Sequence, residues 1–179
     1  MKVDKKKDLH LIVLVHGHKG SEFDMRLYKN YISKIFPHSH FMISKVNWKE
    51  ENQSIMKLGE WLSIEIKDHL NNYSDIGKIS FLGHSLGGLV IRAALKNLKT
   101  LKDKMQTYIS LSCPHLGFEI KDNFFVNVGF KFLRVIKDSI ILKELDMADH
   151  EDYKETCIYK LSLEEGLDWF KNLVFVNST

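Results

Sequence analysis

Two kinds of hydrophobic pattern alternate along the chain. Short, nearly continuous runs of apolar and often β-branched residues, of which Leu9 to Val15 is the first, are typical of strands buried on both faces of a sheet. Longer stretches such as residues 53–73 place apolar side chains at the three- and four-residue spacing of a helix. Strands that alternate regularly with helices predict an α/β fold, with a parallel sheet and helices on both of its faces.

The pattern predicts the individual elements as well as the fold class. The predicted strands are residues 9–15, 41–46, 78–82, 106–112 and 173–176. The predicted helices are residues 22–35, 53–73, 86–98 and 164–170, with one or two more between 123 and 145. Ser21 is the predicted N-cap of the first helix, because a serine side chain accepts hydrogen bonds from first-turn amides. We expect the strands to lie side by side in the order second, first, third, fourth and fifth.

The composition is that of a single globular domain spanning residues 1–179. The chain is 44% hydrophobic and 27% charged, and its two prolines mark no boundary between domains. No run of about eighteen apolar residues occurs, so we expect no membrane-spanning helix. The Lys-rich N-terminus lacks the apolar core of a secretory signal, and the expected location is therefore the cytoplasm.

Charge and cysteine content exclude several functional classes. The net charge of +3 is modest, and no basic stripe interleaved with aromatic residues indicates a nucleic-acid partner. The run Lys5 to Lys7 is expected to be a solvated tail. Cys113 and Cys157 are too few and too far apart for a zinc site or a disulfide framework, so we expect both to be reduced and at least partly buried. No metal or organic cofactor is expected.

The strongest candidate for chemistry is the run of residues 83–88, Gly-His-Ser-Leu-Gly-Gly, between a predicted strand and a predicted helix. A serine nucleophile at Ser85 needs a very tight strand-to-helix turn, in which side chains at Gly83 and Gly87 would collide with their surroundings. The helix that follows aims its N-terminal amides at charge that develops near Ser85. A phosphate-binding helix start is the alternative, but the run lacks the P-loop lysine and does not match the dinucleotide fingerprint.

A second motif, His16-Gly17-His18, follows the first predicted strand. In the expected strand order the first and third strands are neighbours, so this loop and Ser85 fall on the two sides of a topological switch point, where ligands bind. An oxyanion hole there would combine the amide of Leu86, the residue after the nucleophile, with the amide of His18. We expect His16 to be a packed histidine that steadies the loop rather than a group that transfers protons.

On these motifs the sequence resembles the putative serine esterase family of lipase-like α/β-hydrolases. The similar segments are residues 11–17, 23–27, 81–92 and 108–117, and the resemblance runs from Leu9 to the last strand. It implies hydrolysis of carboxylic esters. It also implies a substrate site that is lined by His16, Gly17, His84, Pro114 and His115.

The resemblance also bears on residues 118–150, where aromatic and aliphatic residues are dense between Phe124 and Leu142. In lipase-like folds this region forms a cap over the pocket, and so apolar a cap would suit an acyl chain. Helices that cover the outside of the sheet are the alternative. From the cap we expect a hydrophobic carboxylic ester or a lipid as substrate.

The sequence departs from a complete enzyme in one respect. A serine nucleophile needs a histidine base and usually a carboxylate, which in this fold follow the nucleophile in the order acid, then histidine. The chain ends before the usual positions of both. The candidates that remain after Ser85 are His115 and His150, together with the acids Asp146, Asp149 and Asp168.

Three interpretations follow. The chain is part of a longer hydrolase, or a shortened relative that serves as an inactive structural or binding subunit, or a complete enzyme with an unusual base. Without a further strand the fifth strand would be an uncovered sheet edge, which favours association. We therefore expect a chain continuation or a protein partner to cover that edge.

Overall fold

The computed structural model describes residues 9–46, 53–73, 75–117 and 139–177. Five parallel strands form one sheet in the order β2-β1-β3-β4-β5. The strands are β1 (Leu9–Val15), β2 (His40–Ile43), β3 (Ile76–His84), β4 (Met105–Leu111) and β5 (Asn172–Val176). Both the α/β class and the strand order predicted from the sequence are confirmed.

Five α-helices and three 3-10 helices connect the strands in the described residues. The α-helices are α1 (Arg26–Ile35), α2 (Ile55–Asn71), α3 (Leu86–Leu95), α4 (Ile140–Leu145) and α5 (Cys157–Leu163). The 3-10 helices are Lys96–Lys104, Tyr153–Glu155 and Leu167–Trp169. No helix among these ranges is long and apolar enough to cross a membrane. The predicted cap lies outside the described residues over 118–138, as does the Lys5 to Lys7 tail.

The first helix begins later than the sequence predicted. The prediction that Ser21 caps a helix from residue 22 is wrong, since α1 begins at Arg26 and its N-cap position is Met25. Asp24 accepts a hydrogen bond from Ser21 N at 2.7 Å, while Asp24 N donates to Ser21 O at 3.1 Å. These paired bonds close a local turn, which competes with the helix for the same backbone groups.

The last predicted helix is also misplaced. Residues 164–170 do not form an α-helix, and α5 lies before them at Cys157–Leu163. Gly166, with φ 134°, separates α5 from the short 3-10 helix Leu167–Trp169. A side chain at residue 166 would also lie 2.6 Å from Leu95 Cβ, so the backbone passes close to the end of α3. The apolar residues of this stretch pack into the core, where the Phe170 ring centroid lies 5.7 Å from those of Phe81 and Tyr108 in the sheet, rather than forming one continuous helix.

The main core lies between the sheet and the helices α2 and α3. Alternate residues of β1, such as Leu11, Val13 and Val15, point into it and are fully buried. The helices α2 and α3 cross very closely at Gly59, where a Cβ atom would lie 2.5 Å from Ala93 Cβ. This crossing fixes α3, which begins immediately after Ser85, against the sheet.

The opposite face of the sheet carries a smaller core. Ile12, Leu14 and Leu82 are buried there together with Met25, and α1 packs over them. Further along this face, Ile109 and Leu111 of β4 are only partly buried. Every residue of β5 is exposed. Within the ranges that the structure describes, the cover on this face is thus concentrated over β1 and β3.

The two cysteines behave as the sequence predicted. Cys113 and Cys157 are both unpaired and buried. Burial raises the pKa of the Cys113 thiol to about 11 and raises that of Cys157 further, so both are protonated at neutral pH. Their role in the fold is packing.

Candidate active site

Ser85 lies on a sharp turn between β3 and α3. Its backbone angles, φ 52° and ψ −125°, are ones that residues other than glycine rarely adopt. The Ser85 amide donates to the carbonyl oxygen of Leu111 in β4 at 2.8 Å, and Gly88 N donates to the Ser85 carbonyl oxygen at 3.1 Å. The residue is half-buried. The backbone therefore holds Ser85 in the strained conformation of a strand-to-helix elbow.

The glycines around Ser85 are required by close approaches of the backbone. A Cβ atom at Gly83 would lie 2.6 Å from Gly88 Cα. One at Gly87 would collide with the carbonyl oxygen of Val15 and lie 2.7 Å from that of His16. The helix α3 can therefore start directly against the end of β1 only because these positions lack side chains.

The loop that follows β1 runs alongside the elbow. A Cβ atom at Gly17 would lie 3.1 Å from Ser85 Cβ and 3.3 Å from the carbonyl oxygen of His84. The two motifs identified in the sequence are therefore neighbours at the carboxyl edge of β1 and β3. Leu86 is the first residue of α3, so its amide has no acceptor four residues earlier within the helix. His18 lies one residue beyond Gly17 in the same loop, and its pairing with Leu86 as an oxyanion hole stays a prediction.

His16 is almost completely buried beneath that loop, with 1% of its surface exposed. Its Nδ1 lies 2.9 Å from the carbonyl oxygen of Gly17, which can only accept, so Nδ1 carries a proton and donates. A Cβ atom at Gly20 would lie 3.0 Å from the same nitrogen. These contacts are those of a histidine that packs the loop.

Glu65 of α2 interacts with His16 and was not predicted as a functional residue from the sequence. Its carboxylate accepts from Ser44 Oγ at 2.7 Å and from Lys45 N at 3.1 Å, just after β2, and it interacts electrostatically with His16. Burial raises the pKa of Glu65 in spite of these favourable contacts. The residue lies on α2 among positions that look like an ordinary solvated helix face, so the sequence carries no signal for it.

His115 lies in the turn after β4 and is bonded through both ring nitrogens. Arg92 Nη1 lies 3.2 Å from His115 Nδ1, and Ser110 Oγ lies 2.7 Å from His115 Nε2. Arginine can only donate, so Nδ1 accepts and Nε2 carries the proton that is donated to Ser110. Burial, with a smaller effect of Arg92, lowers the pKa of His115 to about 4.

This bonding describes a structural histidine rather than a catalytic base. The lone pair that could accept the Ser85 proton is already directed at a cation. The ring also packs edge-on against Phe175 of β5, with ring centroids 5.1 Å apart. Whether His115 also lines the substrate site, along with His84 and Pro114, stays a prediction.

Arg92 is the second group that the sequence reading missed. Besides the ring of His115, it donates to the carbonyl oxygens of His115 at 3.3 Å and of Leu161 at 3.1 Å. It thus ties α3, the turn after β4 and α5 together. A signal was present in the sequence, since Arg92 is the one charged residue of an otherwise apolar helix. A buried charge of this kind is expected to have partners.

The other triad candidates lie at helix ends and turns, and Asp146 is the C-cap residue of α4. Asp149 accepts from Cys157 N at 2.8 Å and so caps α5, while His150 Nδ1 accepts from Asp152 N at 3.1 Å. Asp168 accepts from Gly166 N at 3.0 Å. Asp149 and His150 lie in the connection between α4 and α5. These bonds stabilise turns and helix ends.

A cleft of about 410 Å³ lies between α1 and β2. It is lined by Glu22, Arg26, Lys29, Asn30, Ile43 and Lys45. The lining residues Arg26, Lys29 and Asn30 show which side of α1 faces β2. The opposite flank carries Leu27, Tyr31 and Ile35, which are 61–71% exposed.

Comparison with known proteins gives a consistent result. Residues 5–179 match the family model described as "Putative serine esterase (DUF676)". The protein named putative lipase YDL109C, from Saccharomyces cerevisiae, is 34% identical over 129 residues, which are 64% of this chain and 20% of the yeast protein. Putative lipase ROG1 from the same organism is 30% identical over 140 residues, which are 70% of this chain and 20% of that protein. The chain thus spans about a fifth of the length of these relatives.

Among solved structures, the lipase BlEst2 from Bacillus licheniformis in its propeptide form superposes with a TM-score of 0.64. The identity is 15%, and the match covers 94% of this chain and 35% of the lipase. At this identity the likeness concerns the fold. It agrees with the α/β-hydrolase architecture expected from the strand order and the elbow.

Proposed function

Because the chain belongs to the putative serine esterase family, we propose that it supports hydrolysis of carboxylic esters with Ser85 as the nucleophile. The observation that carries this proposal is the elbow itself. A serine with φ 52° is costly, by about 1–3 kcal/mol, and such strain persists where a side chain must be presented for chemistry. At Gly17 and Gly87 the backbone itself lies close to the elbow and the end of β1, with no side chain in between.

The proposed reaction is acyl transfer in two steps. Ser85 Oγ attacks the ester carbonyl carbon while its proton passes to a base, and the amides of Leu86 and His18 stabilise the oxyanion. The carbon–oxygen bond to the alcohol then breaks, and the base returns the proton to the leaving alcohol. Water attacks the acyl-enzyme in the same manner and releases the carboxylic acid and free Ser85.

We further propose that the base and its acid lie in a chain segment or a partner outside residues 1–179. The support is that His115 and His150 are committed to local hydrogen bonds. The outer side of β5 is the natural position for such a segment. Leu173, Val174, Phe175 and Val176 are 40–51% exposed there, an area that a free sheet edge would leave open to association.

The same partner would cover the half of the sheet face beyond α1. Among the described residues, Ile109 and Leu111 are only partly buried on that face, and Leu27, Tyr31 and Ile35 of α1 are exposed. Parallel sheets are stable when both faces are covered, so these apolar side chains favour a helix packed against them.

For the substrate we propose a hydrophobic ester or a lipid. The relatives in yeast carry the name lipase, and the apolar segment between β4 and α4 suits an acyl chain. Medium-chain p-nitrophenyl esters should therefore be hydrolysed faster than the acetate. Faster turnover of short polar esters would contradict this substrate class.

An inactive scaffold is the competing function. It is favoured by the hydrogen bonds that commit His115, because a fold that keeps the elbow while lacking a base would look the same. Such a subunit would use the elbow region and the β5 edge for binding within a larger assembly.

A fluorophosphonate probe separates the two functions. The chain and a longer version that includes any downstream residues are labelled, beside Ser85→Ala and the exposed control Ser162→Ala. Labelling of the wild type and of Ser162→Ala, with none in Ser85→Ala, supports the enzyme. A folded, longer protein that remains unlabelled supports the scaffold.

A further inference from the structure

His40 and His69 face each other across two elements at the edge of the sheet opposite to Ser85. His40 begins β2, and His69 lies in the last turn of α2. Their Nε2 atoms are 2.9 Å apart, and the two imidazole rings are inclined by 30° with centroids 5.0 Å apart. Tyr73 packs against both rings, at 4.2 Å from His40 and 5.1 Å from His69 between centroids. The aromatic packing restricts both rings, so their nitrogens are held in position before any ligand arrives.

From this geometry we propose that His40 Nε2 and His69 Nε2 together bind one divalent transition-metal ion of the zinc class. Zinc binds imidazole nitrogen at about 2.0–2.1 Å with tetrahedral geometry, which sets two ligand nitrogens about 3.3 Å apart. The observed separation needs to open by only a few tenths of an ångström. Imidazole is the nitrogen ligand that zinc, copper and nickel share, which defines the ion class.

The protonation of the His40 and His69 rings also favours a zinc-class ion. Two neutral imidazoles share one proton between the facing nitrogens. When a metal ion binds both Nε2 lone pairs, the ring that donated that proton takes the tautomer that carries it on Nδ1. Burial lowers the pKa of both rings, which favours the neutral form that binds a metal ion. Lys29 and His69 lower the pKa of His40 further, whereas Asp75 acts in the opposite sense and would partly offset the charge of a bound cation.

The site would be partial and exchangeable. Within the described ranges no group of three or more His, Cys, Asp or Glu side chains is arranged to hold a metal. The protein therefore supplies two ligands, and water completes the coordination. A bound ion would join the short strand β2 to the end of α2 and so stabilise the outer part of the sheet. This role is independent of Ser85 and of ester hydrolysis.

Zinc binding to the purified metal-free chain tests the proposal. Equilibrium dialysis against Zn²⁺ should give about one ion per chain, and Zn²⁺ should raise the Tm, because it binds the folded state in preference. The variants His40→Gln and His69→Gln should each bind Zn²⁺ about tenfold more weakly or worse and lose the rise in Tm. His38→Gln is the matched control, since His38 is exposed and only two residues from His40.

Unchanged Zn²⁺ affinity in His40→Gln and His69→Gln would overturn the proposal, as would an equal loss in His38→Gln or no binding by the wild type at millimolar Zn²⁺. The two variants alter different elements, so a failure of one to fold leaves the other as the test. Cobalt substitution gives a second readout, because tetrahedral Co²⁺ bound to nitrogen should produce visible absorption bands that disappear in both variants.

Discussion

Arg92 Nη1 lies 3.2 Å from His115 Nδ1 and directs a permanent cation at the lone pair of a half-buried imidazole. The same guanidinium reaches the carbonyl oxygens of His115 and Leu161. The turn after β4 follows directly on Leu111, whose carbonyl oxygen accepts from the Ser85 amide, and Arg92 thereby connects this turn to α3 and α5. Arg92 and His115 therefore hold together the elements that surround the elbow.

Neutral His115 should make the stability of the protein depend on pH. Its pKa falls from an ordinary 6.5 in the unfolded chain to about 4 in the folded protein, so the unfolded chain binds the extra proton between these values. The contribution is fully present above pH 6.5 and is lost as the pH falls towards 4. Solvent at the half-buried ring reduces the effect to about 1–3 kcal/mol.

Urea denaturation at pH 7.0 and pH 4.5 measures this dependence. The wild type should lose more stability on acidification than His115→Gln, which cannot titrate at this position. The comparison between the two proteins is needed because the raised pKa values of Glu65 and Glu144 act in the opposite direction over part of this range. Equal losses in both proteins would contradict the assignment.

Glu144 should be a strong determinant of stability although it lies far along the chain from the helix it caps. Its Oε2 accepts from Ile55 N, the first amide of α2, at 2.7 Å, and the residue is 5% exposed. Glu144→Ala leaves that buried amide without its acceptor and should lower the free energy of unfolding by about 2–3 kcal/mol. Glu144→Gln keeps an acceptor oxygen and should lose less.

The control for that measurement is Glu155→Ala. Glu155 forms an exposed ion pair with Lys160 at 2.8 Å, and pairs of this kind contribute little. Its midpoint of urea denaturation should stay close to that of the wild type. A similar loss of unfolding free energy in Glu144→Ala and Glu155→Ala would show that the buried bond from Ile55 N to Glu144 stabilises the fold no more than an exposed ion pair does.

The contact between α2 and α3 at Gly59 should tolerate no added methyl group. Gly59→Ala places a Cβ atom 2.5 Å from Ala93 Cβ and 2.6 Å from Ala93 C, so the helices must separate, at a cost of about 1–3 kcal/mol. The double variant Gly59→Ala with Ala93→Gly removes the side-chain overlap but not the backbone contact. Thermal denaturation should show recovery of only part of the lost Tm, and full recovery would contradict the backbone contact.

The open edge at β5 should cause concentration-dependent association of the isolated chain. Val174 and Val176 are 40% and 48% exposed on the strand that ends the sheet. Val174→Lys should shift sedimentation velocity profiles towards the monomer without lowering the Tm, because a charge on an edge strand opposes pairing with another strand. A wild-type chain that is monomeric at high concentration would count against the uncovered edge.

The sequence predicted the sheet well because its strands are encoded by local pattern. β1 was predicted at its observed bounds, since a continuous apolar run between polar flanks has few alternatives. The start of α1 was missed because Ser21 and Asp24 form a turn whose hydrogen bonds satisfy the same amides that a helix cap would. The helix expected at residues 164–170 was displaced because Gly166 breaks the backbone where α3 passes close by.

The sequence by itself determined the α/β fold, the strand order and the Ser85 elbow, because the glycines at positions 83 and 87 permit a backbone that other residues would block. Only the tertiary structure decided what the histidines do. It bonded His115 to Arg92 and Ser110, buried His16 under its loop, and brought His40 to His69 across 29 residues of sequence. An imidazole has the same intrinsic chemistry at every position, and its role is set by the donors, charges and solvent around it, which distant parts of the chain supply.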